Sequence, residues 1–145
     1  MASDQQDEIT RQDHPKFVHT KRTWVRKFSD AFSGVALGTY GQSSFVVHGT
    51  FLGLGTLLGF YLQLEAWRWA AFLLTSGLVL GLELVNSAFE SVAPAITDRH
   101  DLRIDRALKI ASAAVLVAAI FSIVIGLIVF VPPIVESWNP EPAQR

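Results

Sequence analysis

Three polar side chains, Glu83, Asn86 and Glu90, interrupt a long apolar stretch of this 145-residue chain in the run ELVNSAFE. At i, i+3 and i+7 they share one face of a helix. An ionised carboxylate facing hydrocarbon costs several kcal/mol, so two on one apolar face are a functional candidate. The structural alternative is a polar contact between helices, or two glutamates wetted at a membrane boundary. Magnesium is commonly held by one or two carboxylates together with substrate phosphates, and a free carboxylate nearby can accept a proton from an attacking hydroxyl. Phosphoryl transfer fits that set. The chain has no G-x-x-x-x-G-K-[S/T] loop and no kinase Gly-rich loop, which excludes the common soluble nucleotide-binding folds.

The elements that must position these residues are read from hydropathy. Half the residues are hydrophobic, 17% are charged, there is no cysteine and the formal net charge is -1. This excludes a disordered tail protein, a disulfide-stapled domain and a polybasic nucleic-acid binder, so no nucleic-acid partner is expected. Three stretches are long enough to cross a bilayer: about 46–64, 67–96 and 107–131, the last with its uncharged run Ile110–Val131. Trp67, Arg68 and Trp69 mark a headgroup boundary between the first two, with the guanidinium reaching water. Pro132-Pro133 is expected to stop the third span. Residues 1–20 read as a flexible tail without a secretory signal, residues 21–133 as the membrane domain and 134–145 as a C-terminal tail.

Lys21–Tyr40 is too polar to span, but places Trp24, Val25, Phe28, Ala31, Phe32 and Val35 three and four apart. This predicts an amphipathic helix on the membrane surface, its basic residues facing anionic lipid. The predicted fold is all-α: three transmembrane helices and an N-terminal surface helix. Six Lys and Arg precede the first span, one separates the first two, and four lie between the last two. The positive-inside rule then puts the N-terminus and the second loop in the cytoplasm. Gly49 with Gly53, and Gly55 with Gly59, allow close helix approach, either within the chain or in a homo-oligomer. Ala107, Ala111, Ala114 and Ala118 offer a similar face. His48 and His100 read as interfacial polar residues rather than ligands.

ELVNSAFE followed by RALKIASAAVLVAAI resembles the small prokaryotic diacylglycerol kinases, a family of integral-membrane lipid kinases that includes the undecaprenol kinases. Their signature is E-x-aliphatic-N-[S/T]-[S/A]-aliphatic-E-x-x-[V/I]-D. RKFSDAFSG is similar to the surface helix of the undecaprenol kinase branch, and AAIFSIVIGLIVFVPP to the end of its third span, so the likeness covers roughly Arg26 to Pro133. It implies a homotrimer in the cell membrane, a lipid alcohol as substrate, MgATP as phosphoryl donor and sites at the cytoplasmic boundary. It also implies Glu83 as general base, Glu90 as a magnesium ligand and Asn86 beside the phosphates.

The departures fall on the same site. The family's second acidic metal ligand aligns with Gln42, whose amide oxygen can coordinate magnesium but brings no charge. The aspartate closing the signature is Pro94, expected to kink or end the helix, and Phe89 replaces an aliphatic residue. The family's R-A-K-D becomes Arg106-Ala107-Leu108-Lys109, so the nucleotide-contacting lysine is Leu108. Lys109 lies about 100 degrees around the helix from it, near enough for its long stem to reach phosphates beside Arg106. Asp105 can pair with Lys109 or replace the missing acid. The plainer reading of these basic residues is a solvated loop. The function expected is ATP-dependent phosphorylation of diacylglycerol or undecaprenol. The alternatives are a scaffold that has lost catalysis and, less in keeping with the basic loop and surface helix, a channel lined by Glu83 and Glu90.

Overall fold

A computed structural model describes residues 23–97 and 99–138, which form four helices and no strand. They are α1 (Trp24–Thr39), α2 (Ser43–Tyr61), α3 (Ala66–Ile96) and α4 (Leu102–Trp138). The expected tail 1–20, Lys21, Arg22, Asp98 and residues 139–145 lie outside the described residues. The chain parts into two units at Ala31. The first contributes the opening turns of α1, where Lys27 Nζ sits 4.5 Å over the Trp24 ring. Thr23 sets the start of this helix three residues later than expected. Its hydroxyl accepts from the Arg26 amide and its carbonyl from the Lys27 amide, the pattern of an N-cap.

In the second unit, α2, α3 and α4 are long and apolar enough to cross a membrane. Large apolar side chains such as Leu57, Leu74, Phe121 and Ile123 line their outward faces, a surface suited to lipid and unstable in water. The turn from α1 to α2 needs Gly41, whose φ of 74° lies in the left-handed region. The turn from α2 to α3 uses Gln63 instead, at φ 52°. There the Leu64 amide bonds the Gly59 carbonyl at 3.1 Å and the Gln63 amide bonds Phe60 at 3.2 Å, the two bonds of a Schellman motif. Leu64 turns inward onto Phe72 and Val129.

α2 packs closely on α3 at this turn. A Cβ added at Gly55 would lie 2.5 Å from Phe72 Cζ, and one at Gly59 would lie 2.9 Å from Trp69. These two glycines therefore let α2 meet α3 within the chain, while Gly49 and Gly53 face open space. One glycine pair thus packs inside the chain and the other faces outward. Trp69 belongs to this packing, its ring 4.9 Å from Phe60 and 6.3 Å from Phe72.

The expected stop at Pro132-Pro133 does not occur, and residues read as a C-terminal tail continue α4 to Trp138. Two prolines in a helix interior leave the carbonyls four residues back, Ile128 and Val129, without amide donors. Arg68 supplies them. Its Nη1 donates to Ile128 O at 3.1 Å and Val129 O at 2.7 Å, and its guanidinium stacks 4.6 Å over the Trp67 ring. The guanidinium expected in water thus caps the gap that the prolines open. α4 also begins earlier than expected, at Leu102, because Asp101 caps it: Asp101 Oδ1 accepts from the Arg103 amide at 2.7 Å and the Ile104 amide at 3.3 Å. Arg103, Arg106 and Lys109 are accordingly helical rather than part of a loop. Pro94 lies inside α3, which ends two residues later at Ile96.

Candidate active site

The short turn at 62–65 makes α2 and α3 antiparallel, so the start of α2 lies beside the C-terminal half of α3. Gln42, the N-cap residue of α2, donates from Nε2 to Glu90 Oε2 at 3.0 Å. Asn86, one turn before Glu90 on α3, donates from Nδ2 to Glu90 Oε1 at 2.8 Å. Ser112 on α4 donates to Asn86 Oδ1 at 3.3 Å. Gln42, Asn86, Glu90 and Ser112 thus form one connected polar network across three helices. Asn86 is buried and has partners for both ends of its amide, as a buried polar group requires.

Glu83 stands apart from that network. It is 6% exposed, and its Oε1 lies 3.4 Å from His48 Nε2 on α2. His48, expected as an interfacial polar residue, faces the candidate base. Ser112 and His48 are the two site residues whose role the sequence does not announce. Each is a lone polar group in an apolar run, and only the packing of α2 and α4 on α3 shows what it meets.

At 1.5 Å per residue the 31 residues of α3 extend roughly 46 Å, well beyond a hydrocarbon core of roughly 30 Å, so at least one of its ends projects past the hydrocarbon.

Beyond Glu90, where α3 gives way to α4, a cleft of about 410 Å³ is lined by Glu90, Thr97, Arg99, His100, Asp105 and Leu108, among others. Leu108 offers this cleft no charge. Lys109 is not on its wall; it pairs with Asp105 at 2.8 Å, the partner its spacing allows. Arg106 is exposed and also absent from the lining. The structure therefore brings Gln42, Asn86 and Glu90 together, holds Glu83 beside His48, and leaves Arg106 and Lys109 outside the cleft.

Among the described residues no three His, Asp or Glu side chains converge as a metal centre. The donor set is one carboxylate, Glu90, with the amides of Gln42 and Asn86 against it. Turned through 180°, either amide would present an oxygen, the hard donor that magnesium takes. Such a set is too poor for a closed all-protein site but fits an ion that shares its coordination with phosphates.

The sequence profile of the prokaryotic diacylglycerol kinases matches residues 29–130. The chain belongs to this family. It is 30% identical over 109 residues to an undecaprenol kinase from Bacillus subtilis (strain 168), a match covering 75% of this chain and 89% of that protein. It is 36% identical over 111 residues to a diacylglycerol kinase from Synechocystis sp. (strain ATCC 27184 / PCC 6803 / Kazusa), covering 75% of this chain and 63% of that protein. No solved structure gives a significant match. The family match spans Gln42, the ELVNSAFE face and Ser112, so every residue of the polar network lies inside it.

Proposed function

We propose that this chain is a lipid kinase that transfers the terminal phosphoryl group of ATP to the hydroxyl of a membrane lipid at the cytoplasmic face of the cell membrane. The observation that carries this reading is that one face of α3 bears two acidic residues, Glu83 buried beside His48 and Glu90 exposed at the cleft. In this reading that face crosses the membrane boundary, where a lipid hydroxyl and a nucleotide phosphate can meet. The relatives named diacylglycerol kinase and undecaprenol kinase support the same reading and supply the two candidate alcohols.

In this reading the lipid enters sideways and its hydroxyl reaches Glu83. As its oxygen bonds to the terminal phosphorus, the O–H proton passes to the Glu83 carboxylate and the bond to ADP breaks, with ADP leaving. Magnesium, when bound, neutralises charge on the phosphates. Glu90 is the residue to hold it, with the amide oxygens of Gln42 and Asn86 as further ligands. Arg99 and His100, on the cleft wall beyond Glu90, are placed to receive the nucleotide phosphates. Lys109 and Arg106 are rotated away from that wall and act in this reading only if the start of α4 turns on binding. The N-terminus is cytoplasmic by the distribution of basic residues. A homotrimer would use the open glycine face of α2, Gly49 and Gly53.

The test is transfer of radiolabelled phosphate from ATP to diacylglycerol and undecaprenol in mixed micelles with magnesium. Labelled lipid product is the expected result. Folded protein that labels neither lipid would overturn the reading in favour of a family member without catalysis.

A further inference from the structure

Gln42, the N-cap of α2, and His48 on α2 are six residues apart, and Glu83 and Glu90 are seven apart on α3, so the two antiparallel helices match in two rungs separated by roughly 9–10.5 Å. One rung is Gln42 with Glu90, and the other is His48 with Glu83. Glu90 has two amide donors on its two oxygens, whereas the one polar contact shown for Glu83 is the imidazole. The His48 side chain is 23% exposed and the Glu83 side chain 8%, so the imidazole is the more exposed member of the pair.

We infer that His48 is the positioning residue for Glu83: the imidazole edge holds Oε1 and thereby leaves Oε2 turned toward the lipid hydroxyl. The role rests on the kinase reading above, in which Glu83 takes the hydroxyl proton. In the tautomer with hydrogen on Nε2, His48 presents a donor toward Oε1 at 3.4 Å. A carboxylate on a flexible glutamate arm in an apolar setting otherwise has three side-chain torsions to settle. A misplacement of about 1 Å at such a group costs about 100-fold in rate.

The test compares His48→Ala, His48→Gln and His48→Leu in the full-length protein, with thermal unfolding in detergent as the folding control. His48→Ala and His48→Leu should each lower kcat about 10- to 100-fold while leaving KM for MgATP unchanged, because the Gln42–Glu90 rung is intact. His48→Gln, which keeps an N–H donor at similar reach, should recover most of the rate. Added imidazole should raise the rate of His48→Ala several-fold and leave that of His48→Leu unchanged, since the leucine fills the space. A purely structural role would move melting and rate together and would give no imidazole response. Wild-type turnover in His48→Leu overturns the positioning role alone. So does a loss that neither glutamine nor imidazole repairs. Lipid left unlabelled by the unaltered chain overturns the kinase reading, and this role with it. If His48→Ala does not fold, the contrast between His48→Gln and His48→Leu decides.

Discussion

The two ends of the α2–α3 pair are built on opposite principles. At the turn, α2 and α3 meet through Gly55 and Gly59 against Phe72 and Trp69, with Leu64 and Val129 closing the core. At the other end they meet through side-chain polar contacts, Gln42 with Glu90 and His48 with Glu83. Glycine-on-aromatic packing tolerates no added atom, whereas a hydrogen bond of net worth about 1 kcal/mol can be exchanged or lost. The turn end is thus held by close packing and the other end by polar contacts that can exchange.

The sharpest test of this division is Glu83→Gln. The amide keeps the shape of the carboxylate but cannot accept the hydroxyl proton as a base does, so turnover should fall about 100- to 10,000-fold. Thermal unfolding should not move to lower temperature, because a neutral amide is less costly to bury than a carboxylate. Loss of fold together with turnover would place this residue among those that hold the structure and break the comparison.

At the turn end the effects should reverse. Gly55→Ala puts a methyl group 2.5 Å from Phe72 Cζ, and overpacking of this kind costs about 1–3 kcal/mol. Unfolding in detergent should report that loss, while the turnover of the folded fraction stays near wild type. Arg68→Met should have a similar or smaller effect, about 1–3 kcal/mol, by leaving the Ile128 and Val129 carbonyls without donors. Arg68 serves the two prolines, so a Pro132→Ala, Pro133→Ala background should remove most of the cost. A double-mutant cycle that shows no coupling would refute the clamp.

The polar face was legible from sequence because its spacing is local: Glu83, Asn86 and Glu90 fall on one face by helical geometry alone. The three spans were legible for the same reason, since a run of about 20 apolar residues has few other uses. What was not legible depends on partners distant along the chain. His48 meets Glu83 only once the register of α2 on α3 is set. Pro132-Pro133 reads as a stop until Arg68, some 60 residues earlier, is brought to the orphaned carbonyls. The early start of α4 had a local signal, Asp101 followed by Asp105, which is an N-cap and a first-turn acid. The basic residues around those acids give the same segment the look of a solvated loop.

The smallest expected effect gives the finest test of whether the two ends are independent. Gln63 occupies a left-handed conformation at φ 52° in the turn that joins α2 to α3. For a residue with a Cβ that conformation costs about 1–2 kcal/mol, and glycine adopts it without that cost. Glycine also has about 0.5–1 kcal/mol more chain entropy to lose on folding, so Gln63→Gly should gain somewhat under about 1 kcal/mol. The exposed Gln63 side chain makes no tertiary contact among those described, and the Schellman bonds from the Gln63 and Leu64 amides are main-chain bonds that survive the change. Unfolding in detergent should shift slightly upward, with kcat and KM unaltered. A more stable turn that also changed turnover would mean that strain at one end is transmitted along α2 or α3 to the rungs at the other. The division between a rigid end and a chemical end would then have to be replaced by a single coupled unit.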